Sequence, residues 1–452
     1  MQLNYEQTNV LKNFKLNKNI LVTGPAGTGK SFLINQIKEN AKIINKNVAI
    51  TAMTGCAAWN IQGKTIHSWG GIGTGEKPLE NLIKNIYKNK NTKDRWCNID
   101  TLIIDEVSML TQELFEKLDG IAKSIRKNYR PFGGIQLILL GDFYQLPPIN
   151  NGEKEVAFCF ESPIWNSSIN INIVLKDIIR QTDPVLQTCL NEIRVGKCSD
   201  QTEKILNSCL EKNLFIEKGN IIPTKIYGTK SKIREINEKE LKALNNEIYD
   251  FNLITQKQFK KNKDMHLINN DNIDYYADNL DKYANYENNL KLCIGAQVML
   301  LVNLDTDTGL INGSRGIVTD FVKNNDTNMK SPVVRFLDGR EIQINPYNWE
   351  FEEKDFKIIK TQIPLQLAWA ITIHKIQGAT LNLALIDAGF SIFEYGQSYV
   401  ALSRVTSIDG LYLNSFSKKK IKAHPKVIQF YEKLENFNKT NIKKNIFDHF
   451  SV

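Results

Sequence analysis

The chain has 452 residues and carries 58 Lys+Arg against 49 Asp+Glu, a formal charge of +9. That length exceeds what one hydrophobic core usually supports, so two or more domains are expected. With 42% hydrophobic and 24% charged residues, the composition is that of a globular protein. It excludes disordered, collagen-like and membrane-embedded chains, and no apolar run approaches the 18 or so residues of a spanning helix. The seven Cys are scattered with no C-x-x-C pair, which argues against a zinc site or disulfide framework and for a reducing compartment. The start, Met1 to Glu6, has neither a basic segment leading an apolar one nor an Arg/Ser-rich transit pattern. An intracellular protein, cytoplasmic or nuclear and not secreted, is therefore expected. The excess positive charge permits a nucleic-acid partner without demanding one.

In the N-terminal third, short apolar runs alternate with amphipathic segments, the pattern of βα units around a parallel sheet. Asn19 to Thr23, residues 48–51, Thr101 to Ile104 and Gln136 to Leu140 read as buried strands. Helices such as Lys30 to Asn40 and Gln112 to Lys127 fit between them. The chemically suggestive residues follow the C-terminal ends of these strands, where ligands bind in doubly wound sheets. Residues 171–250 read as helical, and 262–290, rich in Asn, Asp and Tyr, as a long surface excursion. From Gly295 the sequence turns β-like. The turn-rich Asn312 to Gly316 leads into short strands at 316–322, 332–337 and 341–344, a spacing that predicts a small barrel. Strand and helix patterns return after Gln362 and end near residue 416. The tail carries Lys418, Lys419 and Lys420, read as a solvated charge run, and a helix.

Gly24-Pro25-Ala26-Gly27-Thr28-Gly29-Lys30-Ser31 is G-x-x-x-x-G-K-S, directly after a predicted strand and opening a predicted helix. Glycines let successive backbone N–H groups curl round a β-phosphate, Lys30 reaches the β/γ oxygens, and the Ser31 hydroxyl suits Mg²⁺. The helix N-terminus adds partial positive charge. ATP with Mg²⁺ is the expected ligand pair. The apolar strand ending in Asp105-Glu106 delivers two adjacent carboxylates, Asp105 for the metal and Glu106 to polarise an attacking water. After the fourth strand, Gln145 can hydrogen-bond a γ-phosphate and report its loss, although a Pro-rich strand exit is by itself only a turn.

In chain order the sequence carries GPAGTGKS, TAMTGCAAWNI with TIHSW, LIIDEVSML, RPFGGIQLILLGDFYQLPP, IIRQTDP, GAQVMLLVNLD with GLINGSRG, PLQLAWAITIHKIQGATL and YVALSRV. Together these resemble the Pif-one helicases, a branch of superfamily-one DNA helicases, from about residue 2 to residue 432. The resemblance implies an α/β protein: two RecA-like P-loop domains with a small β-barrel inserted in the second. The boundaries it implies are 1–170 for the first domain, 171–300 and 361–432 for the second, 301–360 for the barrel, and 433–452 for a tail. It implies a monomeric motor that hydrolyses ATP, moves 5′ to 3′ on single-stranded DNA and unwinds tailed or forked duplexes, with no membrane partner.

Residue by residue, Gln7 matches the family's adenine-recognition Gln. Arg180 and Arg404 match arginines that the second domain points at the γ-phosphate, and Gln377 and Gly378 match a motif linking DNA grip to the nucleotide. Thr54, Gly55 and His67 lie in motifs lining the DNA path, and Thr372 and His374 are further DNA candidates. Physics supports an arginine at a γ-phosphate because its guanidinium is planar, multidentate and never neutral; the chain has only ten Arg. Thr51 offers another hydroxyl for phosphate oxygens. Trp59 and Trp69 read as core residues before they read as base-stacking platforms. A translocase that does not unwind, on DNA or RNA, and a regulatory P-loop ATPase are the alternatives.

Overall fold

A computed structural model describes residues 3–148, 156–210, 212, 221–227, 230–259, 277, 286–305, 310–323, 330–352, 356–373, 376 and 378–436. The chain divides into two compact units. The first comprises 1–203, 393–400 and 417–452, and the second 204–392 and 401–416. No described helix is long and apolar enough to cross a membrane.

The first unit is built on a six-stranded parallel sheet. Its strands are β1 (Ile20–Thr23), β2 (Val48–Ala52), β3 (Lys64–Thr65), β4 (Thr101–Asp105), β5 (Gln136–Gly141) and β6 (Ile171–Val174), in the order β3-β2-β4-β5-β1-β6. The central strands read as unbroken apolar runs because both faces are covered. Leu21, Leu102, Ile104, Leu137 and Leu139 point to one core; Ile20, Val22, Ile103, Ile138 and Leu140 alternate with them into the other. The second core is closed by α1 (Tyr5–Lys15) and α2 (Lys30–Ile43), whose Leu33, Ile34, Ile37 and Ala41 form a helical apolar stripe.

Two short helices, α3 (Gly55–Asn60) and α4 (Ile66–Gly70), follow β2 and β3. Next come α5 (Leu79–Lys88), α6 (Lys90–Asn98) and α7 (Gln112–Arg126), then α8 (Trp165–Ser168) and α9 (Pro184–Arg194). A C-terminal helix over 425–436 returns to this unit and adds Val427, Tyr431 and Leu434 to the first core.

Pairing of β6 with β1 carries the first unit past residue 170, the expected boundary, to Glu203. The segment 171–250, expected to be helical, accordingly contains the strands Ile171–Val174 and Thr224–Tyr227. Both are four residues long, too short to declare themselves beside the longer helical stripes around them.

The second unit carries a four-stranded parallel sheet in the order Ala370–Thr372, Thr224–Tyr227, Ala384–Ala388, Leu411–Phe416. Helix Lys230–Ala243 is tied to it where Asn237 exchanges two hydrogen bonds with the Ala370 backbone. Gln297–Leu300, Arg315–Lys323, Lys330–Phe336, Glu341–Gln343 and Leu365–Leu367 form a five-stranded antiparallel sheet. Ile254–Phe259, Tyr347–Glu352 and Phe356–Gln362 form a second antiparallel sheet. Strands from outside 301–360 thus complete both sheets. Most of the excursion expected over 262–290 lies outside the described residues.

Candidate active site

The phosphate loop starts at Gly24, directly after Thr23 ends β1, and runs into Lys30, the first residue of α2. Gly27 and Gly29 have φ of +84° and +82°, the left-handed region that glycine enters without a Cβ penalty. Both are also crowded. A Cβ on Gly27 would lie 2.5 Å from the Arg180 Cβ, and one on Gly29 would lie 3.0 Å from Gln7 Nε2. Lys30 Nζ donates to the carbonyls of Gly24 and Pro25, at 2.8 and 2.9 Å. Burial lowers the Lys30 pKa, and the negative charges of Asp142, Glu106 and Asp105 offset part of that. Ser31 is exposed on the first turn of α2, and Thr28 Oγ1 donates to the Pro25 carbonyl at 3.0 Å.

Gln7 is buried against this loop. Its Nε2 donates to the Thr28 carbonyl at 3.4 Å, while its Oε1 accepts from the Asn4 N–H in a capping box that starts α1. Ala26 N–H donates to the Tyr399 hydroxyl at 2.8 Å. Tyr399 lies within the YVALSRV segment, and no role was expected for it.

Asp105 ends β4. Its Oδ1 accepts from the Glu106 N–H at 2.9 Å, and burial, then the charge of Glu106, pushes its pKa up to about 7. Glu106 holds φ at +55°, a conformation costly for a residue with a Cβ and common where backbone strain serves a site. Gln145 is buried after β5, with its N–H on the Asp142 carbonyl at 2.9 Å.

Arg180 belongs to the first unit, not to the second as the resemblance implied. The reason is local. Leu175 N–H bonds the Thr23 carbonyl at 2.8 Å, and the N–H groups of Ile179 and Arg180 bond the Gly27 carbonyl at 2.8 and 3.3 Å. The chain leaving β6 therefore folds back along the phosphate loop. Burial works against the Arg180 charge, while Tyr399 and Glu106 favour it. Arg404 lies buried in the second unit, its Nη2 donating to Ser403 Oγ at 2.8 Å.

An ion pair that the sequence did not advertise lies beside these residues. Asp142, fully buried, accepts from Arg194 Nε and Nη2 at 2.8 and 2.9 Å, the two-pronged geometry of a strong arginine–carboxylate pair. The guanidinium also lies 4.7 Å from the Tyr144 ring centroid and 5.3 Å from that of Tyr431, and these two rings stack at 4.6 Å. Asp142 sits in the quoted GDFYQLPP segment and Arg194 ends α9; only the tertiary fold brings them together.

The DNA candidates are placed unevenly. Thr54 caps α3, its Oγ1 accepting from the Ala57 N–H at 3.2 Å, and Gly55 opens that helix. His67 is half-buried in α4, with its pKa lowered by burial. Thr372 is buried at the end of its strand in the second unit. Gly378 is exposed with φ of +85°. His374 and Gln377 lie outside the described residues. Thr51 does not offer its hydroxyl outward; the group donates to the Ile103 carbonyl at 2.6 Å inside the sheet. Trp69 is core, 4.7 Å from Trp96.

Residues 2–204 match the model of a family described as PIF1-like helicase, and residues 276–321 one described as DNA helicase Pif1, 2B domain. Over 435 residues the chain is 39% identical to the ATP-dependent DNA helicase PIF1 of Danio rerio. That stretch takes in 96% of this chain and 64% of the relative, so the chain spans under two thirds of the relative's length. Among solved structures it is similar to the Pif1 helicase from Candida albicans, at 38% identity and a TM-score of 0.76, covering 96% of this chain and 100% of that one. A Bacteroides Pif1 solved with ADP-AlF3 and ssDNA is similar at 28% identity and a TM-score of 0.63, covering 96% and 98%.

Proposed function

The chain belongs to the PIF1-like helicase family, and from that premise we propose that it is an ATP-dependent DNA helicase moving 5′ to 3′ on single-stranded DNA. One observation carries the reading: at one end of the first unit's sheet, the phosphate loop, the Asp105–Glu106 pair and the Arg180 loop are held together by backbone and charge contacts. Nucleotide binding alone needs the first of these; hydrolysis needs the rest.

The donor set fits Mg²⁺. The Asp105 carboxylate, at the end of β4, and the Ser31 hydroxyl, on the first turn of α2, are hard oxygen ligands of the kind that cation takes with nucleotide phosphates. Bound there, Mg²⁺ would neutralise phosphate charge. Lys30, now on two loop carbonyls, would exchange them for phosphate oxygens. Glu106 would orient and deprotonate water, and Gln145 would sense the γ-phosphate. Arg180 would stabilise the charge gathering on it. Arg404 would take the γ-phosphate role that the resemblance implies. Gln7 would read the adenine, and Thr54, Gly55, His67 and Thr372 would line the DNA path. The two antiparallel sheets, built from 254–259 and from strands between 297 and 367, would supply the barrel that guides strands, and tailed or forked DNA in the cytoplasm or nucleus would be the substrate.

The test is ATP turnover with and without single-stranded DNA. Turnover should rise at least about tenfold with DNA, fall as salt releases the phosphate contacts, and vanish in Lys30→Ala. Turnover indifferent to DNA would refute the motor reading, and activity surviving in Lys30→Ala would move the nucleotide site elsewhere.

A further inference from the structure

The C-terminal helix over 425–436 does more than cover a hydrophobic face. Phe430 lays its ring 4.4 Å from Phe160 and 5.2 Å from Phe143. The neighbouring Tyr431 sends its hydroxyl to the sheet edge where the phosphate loop begins. There the hydroxyl lies 2.5 Å from Thr23 Oγ1 and 3.2 Å from Asp142 Oδ1, and the Phe143 N–H donates to it at 3.3 Å. A phenol has one proton. It goes to the Asp142 carboxylate, so Thr23 donates to the Tyr431 oxygen. Burial and the charge of Asp142 hold that phenol well above its ordinary pKa, so the proton stays in place across the working pH range.

These contacts join two strand ends with different duties. Thr23 immediately precedes Gly24 of the phosphate loop. Asp142 precedes the loop of Gln145, fixes Tyr144 N–H through Oδ1 at 3.2 Å, and receives Arg194 from the end of the helix that follows the Arg180 loop. One buried hydroxyl therefore sets the spacing between the group that grips phosphate and the groups that respond to its loss.

We propose that Tyr431 is a positioning residue for ATP hydrolysis, making the C-terminal helix part of the nucleotide site. It acts through Thr23 and Asp142, the two side chains its hydroxyl meets. Because displacement of a reacting group by a fraction of an ångström is felt mostly in the transition state, loss of the tie should lower kcat and spare nucleotide affinity. The inference rests on the ATPase reading, and the two fail differently: a wild-type chain without turnover refutes that reading, whereas turnover insensitive to Tyr431 refutes this one.

The experiment compares wild type with Tyr431→Phe, Thr23→Val, Thr23→Ser and the Tyr431→Phe/Thr23→Val double variant in the full chain. Steady-state hydrolysis at saturating single-stranded DNA, fluorescent-ADP affinity and thermal unfolding are measured for each. Tyr431→Phe keeps the ring against Tyr144, Arg194 and Phe430 and should lower kcat about tenfold, with KM and ADP affinity within about twofold and Tm within about 2 °C. Thr23→Val should do the same, Thr23→Ser should retain wild-type turnover, and the double variant should be no worse than either single one. A kcat within twofold of wild type, a loss that merely follows the folded fraction, or additive losses in the double variant would each overturn the proposal.

Discussion

Glu106 is where backbone and chemistry meet most sharply. It sits at φ +55°, beside a carboxyl whose pKa is raised to about 7. Its charge works in favour of both Lys30 and Arg180, and its proposed role is that of the base for attacking water. Glu106→Gln preserves shape and removes the proposed base. Nucleotide affinity should stay within about threefold, while turnover falls by roughly two to three orders of magnitude; equal loss of both would show that Glu106 serves binding instead. Lys30, Ser31 and Asp105 were legible in the sequence because the chain itself fixes their spacing to the loop or strand that delivers them. Arg194 and Tyr431 were not. Their shared partner Asp142 lies 52 and 289 residues away along the chain, and neither residue belongs to a local pattern that announces it. Tyr399 lay inside a quoted motif, yet the sequence drew attention to Arg404 because charge is easier to interpret than a phenol.

At the scale of elements, the stretch RPFGG between α7 and β5 opens one of the segments that carry the resemblance, and the structure gives it a physical purpose. Arg126, at the end of α7, donates from Nε to the Gly133 carbonyl and from Nη1 to those of Trp96, Cys97 and Ile99, pinning the end of α6 against the start of β5. Asp119 accepts the Phe132 N–H at 2.7 Å, and the Phe132 ring lies 5.0 Å from Phe115 in the core. The turn closes so tightly that Gly133 takes φ +59°, and a Cβ there would lie 2.5 Å from the Ala122 carbonyl oxygen. Gly133→Ala combines left-handed strain with that clash and should destabilise the first unit by about 2 kcal/mol or more. The corresponding fall in Tm is about 4–8 °C, and an unchanged Tm would show that the turn relaxes freely. The strands β1, β2, β4 and β5 were readable because burial on both faces leaves a continuous apolar run. Two-residue β3 and the edge strand β6 were not, since their identity depends on neighbours supplied by β2 and β1.

For the whole molecule, the charge of +9 proved a weak guide. Lys418, first of the three consecutive lysines, pairs with Asp200 and Glu203 at 3.1 and 2.8 Å, so part of that run braces its own unit. Length was more informative: two compact units are what 452 residues should form. The chain also crosses between them repeatedly, with 393–400 and 417–436 returning to the first unit. That threading brings Tyr399 and Tyr431 to the phosphate loop, and periodicity read along the chain cannot reveal it. Hydrolysis at this loop is proposed to drive directional strand separation. Unwinding of duplexes bearing a single-stranded tail at the 5′ or the 3′ end tests it most directly. ATP-dependent separation of the 5′-tailed duplex alone is expected, lost in Lys30→Ala; separation from the 3′ tail, or DNA-stimulated hydrolysis with neither duplex opened, would overturn the proposal.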